Sequence, residues 1–307
     1  MIRLIRTLFA VFLAGIILVS FGYVTFQFIG IDPSEFRLSD VSKKIPTFSD
    51  ILSSQKVSPE IENPLTPVQK NVTFRFALIA DSHTDFPTLQ LALQDAKTQG
   101  ASYVIGLGDY SAFGSMKELE TSKKTFDESG LPFYVVPGDH DLGESRALSG
   151  VPEKLFSEVF GEPYQVFVKG QVKHVLIHNA DNYLGLSEEQ WKWVTTAIEK
   201  GPEKLLFVFL HEPLYHPTST HIMGRGGEYP EAEKERKELL SLLSQKQVDE
   251  VFAGDIHFFA RFPKADGSVT MTTIGAVTTE RNPQTPRYVL VDVFDDYSYQ
   301  VTQRVIP

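Results

Sequence analysis

Five short clusters of aspartate and histidine are the residues of this sequence best suited to chemistry. They are Asp81-Ser82-His83, Gly108-Asp109, Gly138-Asp139-His140-Asp141, His211-Glu212-Pro213 and Gly254-Asp255-Ile256-His257. Mixed carboxylate and imidazole donors suit Mn, Fe, Zn or Co better than Ca. An Asp-x-His pair lets a carboxylate and an imidazole converge on one ion. Gly108 permits a tight turn that aims the Asp109 carboxylate inward. A carboxylate can bridge two cations, which a neutral side chain does poorly. Together the clusters read as a hydrolytic site for two metal ions. Two ions about 3.5–4 Å apart clamp both the attacking and the leaving oxygen of a phosphoryl transfer.

Each cluster ends an apolar run with strand character: FRFALIA, YVIGL, FYVV, LLFVFL and VDEVFA. Helical signals lie between them. Asp85 caps a helix with Pro87 in its first turn and Leu89, Leu93 and Ala96 on one face. Ser115 and Glu118 form a capping box, Ser187 and Gln190 repeat it ahead of Trp191, Val194 and Ile198, and Glu231 to Lys246 is a further helix. Val166–Val168 and Val172–His178 read as a hairpin around Gly170. The last third is mainly strands: Val248–Ala253, Val269–Ile274, Tyr288–Phe294 and Ser298–Val305. This order predicts a layered α/β architecture with two sheets and helices outside. In such folds sites gather beyond the carboxyl ends of strands, where all five clusters fall.

Composition narrows the function. The chain has 307 residues, no cysteine and a net charge of −10. Thiolate ligands and disulfides are excluded, so only His and carboxylate can hold the ions. The acidic balance argues against nucleic acid as main partner, because phosphate backbones need basic surface. Thr7 to Ile31 carries no charge after Arg3 and Arg6, and about 20 apolar residues span a bilayer. The expectation is therefore an N-terminal anchor over 1–31, a Pro- and Ser-rich linker over 32–72 and a catalytic domain over 73–307. The positive-inside rule keeps the N-terminus cytoplasmic and the domain extracytoplasmic, in a single-pass membrane protein. A cleaved signal and a secreted product are the alternative, and a buried core helix is a third.

In the order D-x-H, G-D, G-N-H-D/E, H and G-H-x-H, these motifs resemble the calcineurin-like metallophosphoesterases. The likeness runs from about Phe74 to Val305, and LSEEQWKWV also resembles a helix common in that family. It implies a four-layer sandwich of two mixed β-sheets flanked by helices. It also implies hydrolysis of phosphomonoesters or phosphodiesters, of small molecules or lipids, by a hydroxide held between the metals. By position, metal one takes Asp81, His83 and His257, with Asp109 bridging. Metal two takes Asp109, Asp139, His211 and Asp255. His140 is the acid that assists the leaving group.

Two positions depart from the pattern. Asp139 stands where Asn is usual, and Asp255 where the first His of G-H-x-H is usual. Two divalent or mixed-valence ions are implied, Mn, Fe or Zn; the harder, more anionic second site also admits Mg. Arg225, in a Gly-containing loop after His211, is a candidate for pairing with substrate phosphate.

Taken singly, each histidine also reads as a satisfied core or loop residue, and Asp139 and Asp255 as turn residues. Asp141 supports its loop, and His174 and His178 read as packing or surface residues. The altered second site keeps open a catalytically weak metal-binding or interaction domain on the same fold. A protein phosphatase fits less well, since Tyr110-Ser111-Ala112 follows Asp109 and the further Asp-Arg-Gly signature is missing.

Overall fold

The structure is a computed structural model and describes residues 70–265 and 269–307. The expected anchor and nearly all of the expected linker lie outside these residues. Among the described residues no helix is long and apolar enough to cross a membrane.

The long apolar runs become strands because both of their faces are covered. One sheet is ordered β11-β10-β1-β2-β3. Its strands are β1 (Val72–Ile79), β2 (Val104–Gly106), β3 (Phe133–Val135), β10 (Arg287–Phe294) and β11 (Tyr299–Val305). β1, β2 and β3 run parallel, and β10 pairs antiparallel with both β1 and β11. The other sheet is ordered β4-β5-β6-β7-β9-β8. It comprises β4 (Gln165–Lys169), β5 (Val172–Leu176), β6 (Leu205–Leu210), β7 (Glu250–Ala253), β8 (Phe259–Ala265) and β9 (Val269–Ile274). β5, β6, β7 and β9 are parallel, with antiparallel β4 and β8 at the edges.

Alternation along the strands divides the core into three layers. Phe76 and Leu78 of β1 meet Phe207 and Phe209 of β6 between the sheets. Ala77 and Ile79 face the other way, onto α1 (Phe86–Thr98), α2 (Met116–Ser129) and α4 (Lys154–Phe160), through Leu89, Leu93, Phe126 and Phe156. Leu206, Val208 and Leu210 likewise pack outward on α5 (Glu188–Ala197) and α6 (Pro230–Gln245), against Val194, Leu239 and Leu243. The result is two mixed sheets flanked by helices, as the resemblance implies. Asp85 caps α1 by accepting from the Thr88 amide, and Ser115 with Glu118 closes the capping box of α2.

Several short elements have no counterpart in the sequence reading. A 3-10 turn spans His140–Leu142, and α3 (Gly143–Ser149) and α4 are helices of 7 residues each. Two turns are too short to show an amphipathic period. β8 contains Pro263, which argues against a strand, but β8 is an edge strand and need not donate on both sides.

Candidate metal centre

The five clusters lie just past β1, β2, β3, β6 and β7, which are all parallel strands. Their loops meet at a cavity of about 570 Å³. His83, Asp109, Asp139, His140, Asp255 and His257 line it. Asp81 and His211 are fully buried beneath.

Close approach of two loops sets the centre. A side chain on Gly108 would lie 2.5 Å from the Gly138 amide nitrogen, and one on Gly138 would lie 2.1 Å from Asp109 Oδ1. Only glycine lets these backbones touch. Asp141 locks the pair: Oδ2 accepts from the amides of Asp109 at 2.8 Å and Gly138 at 2.9 Å, and Oδ1 accepts from Ser111 Oγ at 2.7 Å. Fully buried and engaged in this way, Asp141 supports the loops and offers no free face.

Backbone strain concentrates here. Of ten non-glycine residues with positive φ among the described residues, seven are expected ligands or cavity-lining side chains: Asp81, His83, Asp109, Arg225, Asp255, His257 and Arg281. Such conformations cost on the order of 1–3 kcal/mol each and mark sites where surroundings over-determine the backbone.

Asp109 is central. Its Oδ2 lies 3.5 Å from His83 Nε2, and its Oδ1 lies 3.6 Å from His211 Nε2. On one side His83 Nε2 and His257 Nε2 are 3.0 Å apart, and His257 Nε2 is 3.9 Å from Asp81 Oδ1. On the other, His211 Nε2 is 3.5 Å from Asp139 Oδ1. Donor atoms bonded at about 2.1 Å to one ion sit roughly 3.0–3.4 Å apart, so these spacings are close to those around a cation. One donor atom each from Asp81, His83 and His257 lies within 4.8 Å of the others, and the same holds for Asp139, His211 and Asp255. Asp255 therefore reaches the second group despite being shorter than histidine.

The donor chemistry fits ions as well. Asp81 Oδ2, His211 Nε2 and Asp255 Oδ2 are buried without a hydrogen-bond partner, a costly state unless something charged meets them. The Leu107 carbonyl accepts from His211 Nδ1 at 2.7 Å, which aims Nε2 at Asp109 and Asp139. Burial, with His140 and His257 alongside, pushes the His83 imidazole down to about 3 and keeps it neutral. Burial lifts Asp81 to about 6, against the pull of His257 and His211. Burial likewise raises Asp109 well above the carboxylate range, against the pull of His211. Burial opposes charge on His211, but Asp109 and Asp139 outweigh it and hold the ring's pKa well above the ordinary value. Burial also opposes charge on Asp139, where the His211 ring, with Nε2 3.5 Å from Oδ1, prevails and holds the carboxyl far below its usual range.

His140 stands over the first group, its ring 4.7 Å from that of His83. The Ala112 carbonyl accepts from its Nδ1 at 2.7 Å. Arg225 does line the cavity, but its guanidinium is engaged. Nη2 lies 3.2 Å from Asp139 Oδ2, 3.2 Å from Glu212 Oε1 and 3.5 Å from Asp255 Oδ1, and Nη1 meets His221. His174 is a core residue, bonded to Tyr103 at 2.8 Å between the sheets. His178 is buried and lines a different cavity, with Asp181 and Gln190.

Several contributors have no assigned role in the sequence reading. Asn179 Oδ1 accepts from the amides of His211 and Glu212 at 3.0 and 3.1 Å and fixes that loop. Glu212 is fully buried, lifted to about 8 by burial and by Asp255. Asn182 bonds both Glu212 and the Gly224 amide. The His-Glu-Pro triplet itself is the one signal that could have drawn attention to Glu212.

Comparison with known proteins identifies the family. The chain is 30% identical over 115 residues to a probable glycerophosphodiester phosphodiesterase, GpdQ, of Arcobacter nitrofigilis, covering 36% of this chain and 41% of that protein. It is 30% identical over 164 residues to purple acid phosphatase 23 of Arabidopsis thaliana, covering 50% of this chain and 32% of that protein. Less than half the length of either relative is thus spanned. The fold resembles purple acid phosphatase PPD1 of yellow lupin seeds, with a TM-score of 0.56 at 14% identity, over 77% of this chain and 52% of that one. Residues 74–259 match the family model of the calcineurin-like phosphoesterases, and the chain belongs to that family.

Proposed function

We propose that the chain hydrolyses a phosphomonoester or phosphodiester at a two-metal centre outside the cytoplasmic membrane. The observation that carries this reading is Asp109, whose two carboxylate oxygens face two separate imidazole groups, at 3.5 Å from His83 and 3.6 Å from His211. Asp81, His83 and His257 would hold one ion, Asp139, His211 and Asp255 the other, and Asp109 would serve both. Two bound ions would acidify water for use as nucleophile and screen the phosphoryl oxygens. With Nδ1 tied to the Ala112 carbonyl, His140 keeps Nε2 for the cavity, where it would give a proton to the leaving oxygen. Arg281 on the cavity lining adds positive charge for an anionic ester.

A glycerophosphodiesterase and purple acid phosphatases among the relatives support ester hydrolysis and leave both ester classes open. The apolar Thr7–Ile31 run behind Arg3 and Arg6 supports an anchored, extracytoplasmic domain, which would bring lipid as well as soluble phosphate esters within reach.

The test is a hydrolysis screen of the full chain with Mn, Fe, Zn or Mg supplied separately, beside elemental analysis of the loaded protein. Turnover that requires metal, with two ions per chain, is expected. Loading without turnover of any monoester or diester would favour a binding role instead.

A further inference from the structure

The guanidinium of Arg225 lies against two carboxylates of the proposed second metal position. Its Nη2 contacts three carboxylates, Asp139, Glu212 and Asp255, at 3.2–3.5 Å. Asp139 and Asp255 are also the two positions where this chain has aspartate in place of the neutral side chains of the pattern its motifs resemble. The two aspartates divide their oxygens. Asp139 gives Oδ2 to Arg225 and turns Oδ1 toward His211 Nε2 at 3.5 Å. Asp255 gives Oδ1 to Arg225 and leaves Oδ2 buried without a hydrogen-bond partner. One oxygen of each aspartate therefore stays uncommitted to the guanidinium.

The placement is built, not incidental. Arg225 adopts φ 48°, a left-handed conformation that a non-glycine residue avoids. Its turn is held by the Ile222 carbonyl, which accepts from the Arg225 amide at 2.7 Å, and by buried Asn182, which accepts from the Gly224 amide at 2.6 Å. Gly224 packs so closely that a side chain there would lie 2.6 Å from the Glu233 backbone. Among Asp81, His83 and His257 no comparable contact exists: no arginine or lysine makes an ion pair with the first group among the described residues.

We propose that Arg225 is a resident cation that weakens the second ion, so that the first position is filled tightly and the second reversibly. This rests on the two-metal reading. The fixed positive charge offsets the two extra carboxylates and repels an incoming divalent ion across them. Occupancy of the second position, and with it the fully assembled centre, then follows the free metal concentration.

The experiment is a Mn(II) titration of the full chain, followed by calorimetry and by the EPR signal of free Mn(II). Wild type should show one tight ion and a second bound at least roughly tenfold more weakly. Arg225→Met should tighten the second ion by at least roughly tenfold and leave the first unchanged. Arg225→Lys, which keeps the charge, should stay near wild type. Arg225→Gln repeats the test should the methionine variant fail to fold, and the unchanged first site reports folding in each. Equal affinities in wild type, an unmoved second affinity in the neutral variants, or a weaker one, would overturn the proposal. Failure of wild type to bind any ion would instead overturn the two-metal reading itself.

Discussion

Individual side chains carry the clearest consequences. The His140 amide donates to Asp109 Oδ1 at 3.0 Å, but its ring hydrogen-bonds no expected ligand, and its Nδ1 is committed to the Ala112 carbonyl. His140→Ala should therefore cut turnover by about 10²–10⁴-fold, the usual scale of general acid catalysis, while metal content stays near wild type. The loss should shrink for nitrophenyl esters, whose leaving group needs little protonation. A variant that loses an ion would make His140 a ligand. Protons should also compete with the ions. Asp81, lifted to about 6 by burial, must be ionised to bind, so affinity at the first position should fall as pH drops through 6. His211, held above its ordinary pKa by its carboxylate neighbours, should release its proton on loading at neutral pH. Calorimetry in buffers of different ionisation enthalpy reads that release, to which the raised Asp109 carboxyl also contributes; no release would contradict the His211 environment.

The loops are where sequence legibility begins and ends. Asp81, Asp109, Asp139, His211 and Asp255 are legible because each interrupts or follows an apolar run that can only be a strand covered on both faces. A polar residue at that edge has few reasons to be there except a site. Asp141 is legible as a support because it sits three residues past Gly138, where a turn residue caps local amides. The Arg225–Glu212–Asn182 network is not legible, since its members lie on separate irregular loops and no period relates them. α3 and α4 are hidden by shortness, and β8 by Pro263. Trp191 and Trp193, two apart on α5, cannot both face the core squarely; both are half-buried against the same cluster, and Tyr164 also packs on Trp193, with ring centroids 4.8 Å apart. The loop contact also makes a prediction. Gly138→Ala would put a methyl 2.1 Å from Asp109 Oδ1, so the Asp109 carboxylate must move. Thermal unfolding should show a loss of about 1–3 kcal/mol, the scale of overpacking, together with a reduced metal content. A variant with wild-type stability and two ions would mean the loops are not in contact as described.

At the scale of the whole molecule, the fold serves one geometric purpose. Two sheets stacked through a core of Phe76, Phe207, Phe209 and Phe252 bring the carboxyl ends of parallel strands from both together. Asp81, Asp109 and Asp139 come from one sheet, and His211, Asp255 and His257 from the other. Metal binding at the proposed centre would therefore join the sheets across their shared edge, with Asp109 as the common link. The most direct test of that link is the EPR spectrum of the protein loaded with two Mn(II) ions per chain, for wild type and for Asp109→Asn. A bridging carboxylate predicts exchange-coupled Mn(II) pairs in wild type, and loss of the coupling or of an ion in the variant. Two uncoupled ions in wild type, or coupling that survives Asp109→Asn unchanged, would contradict the account.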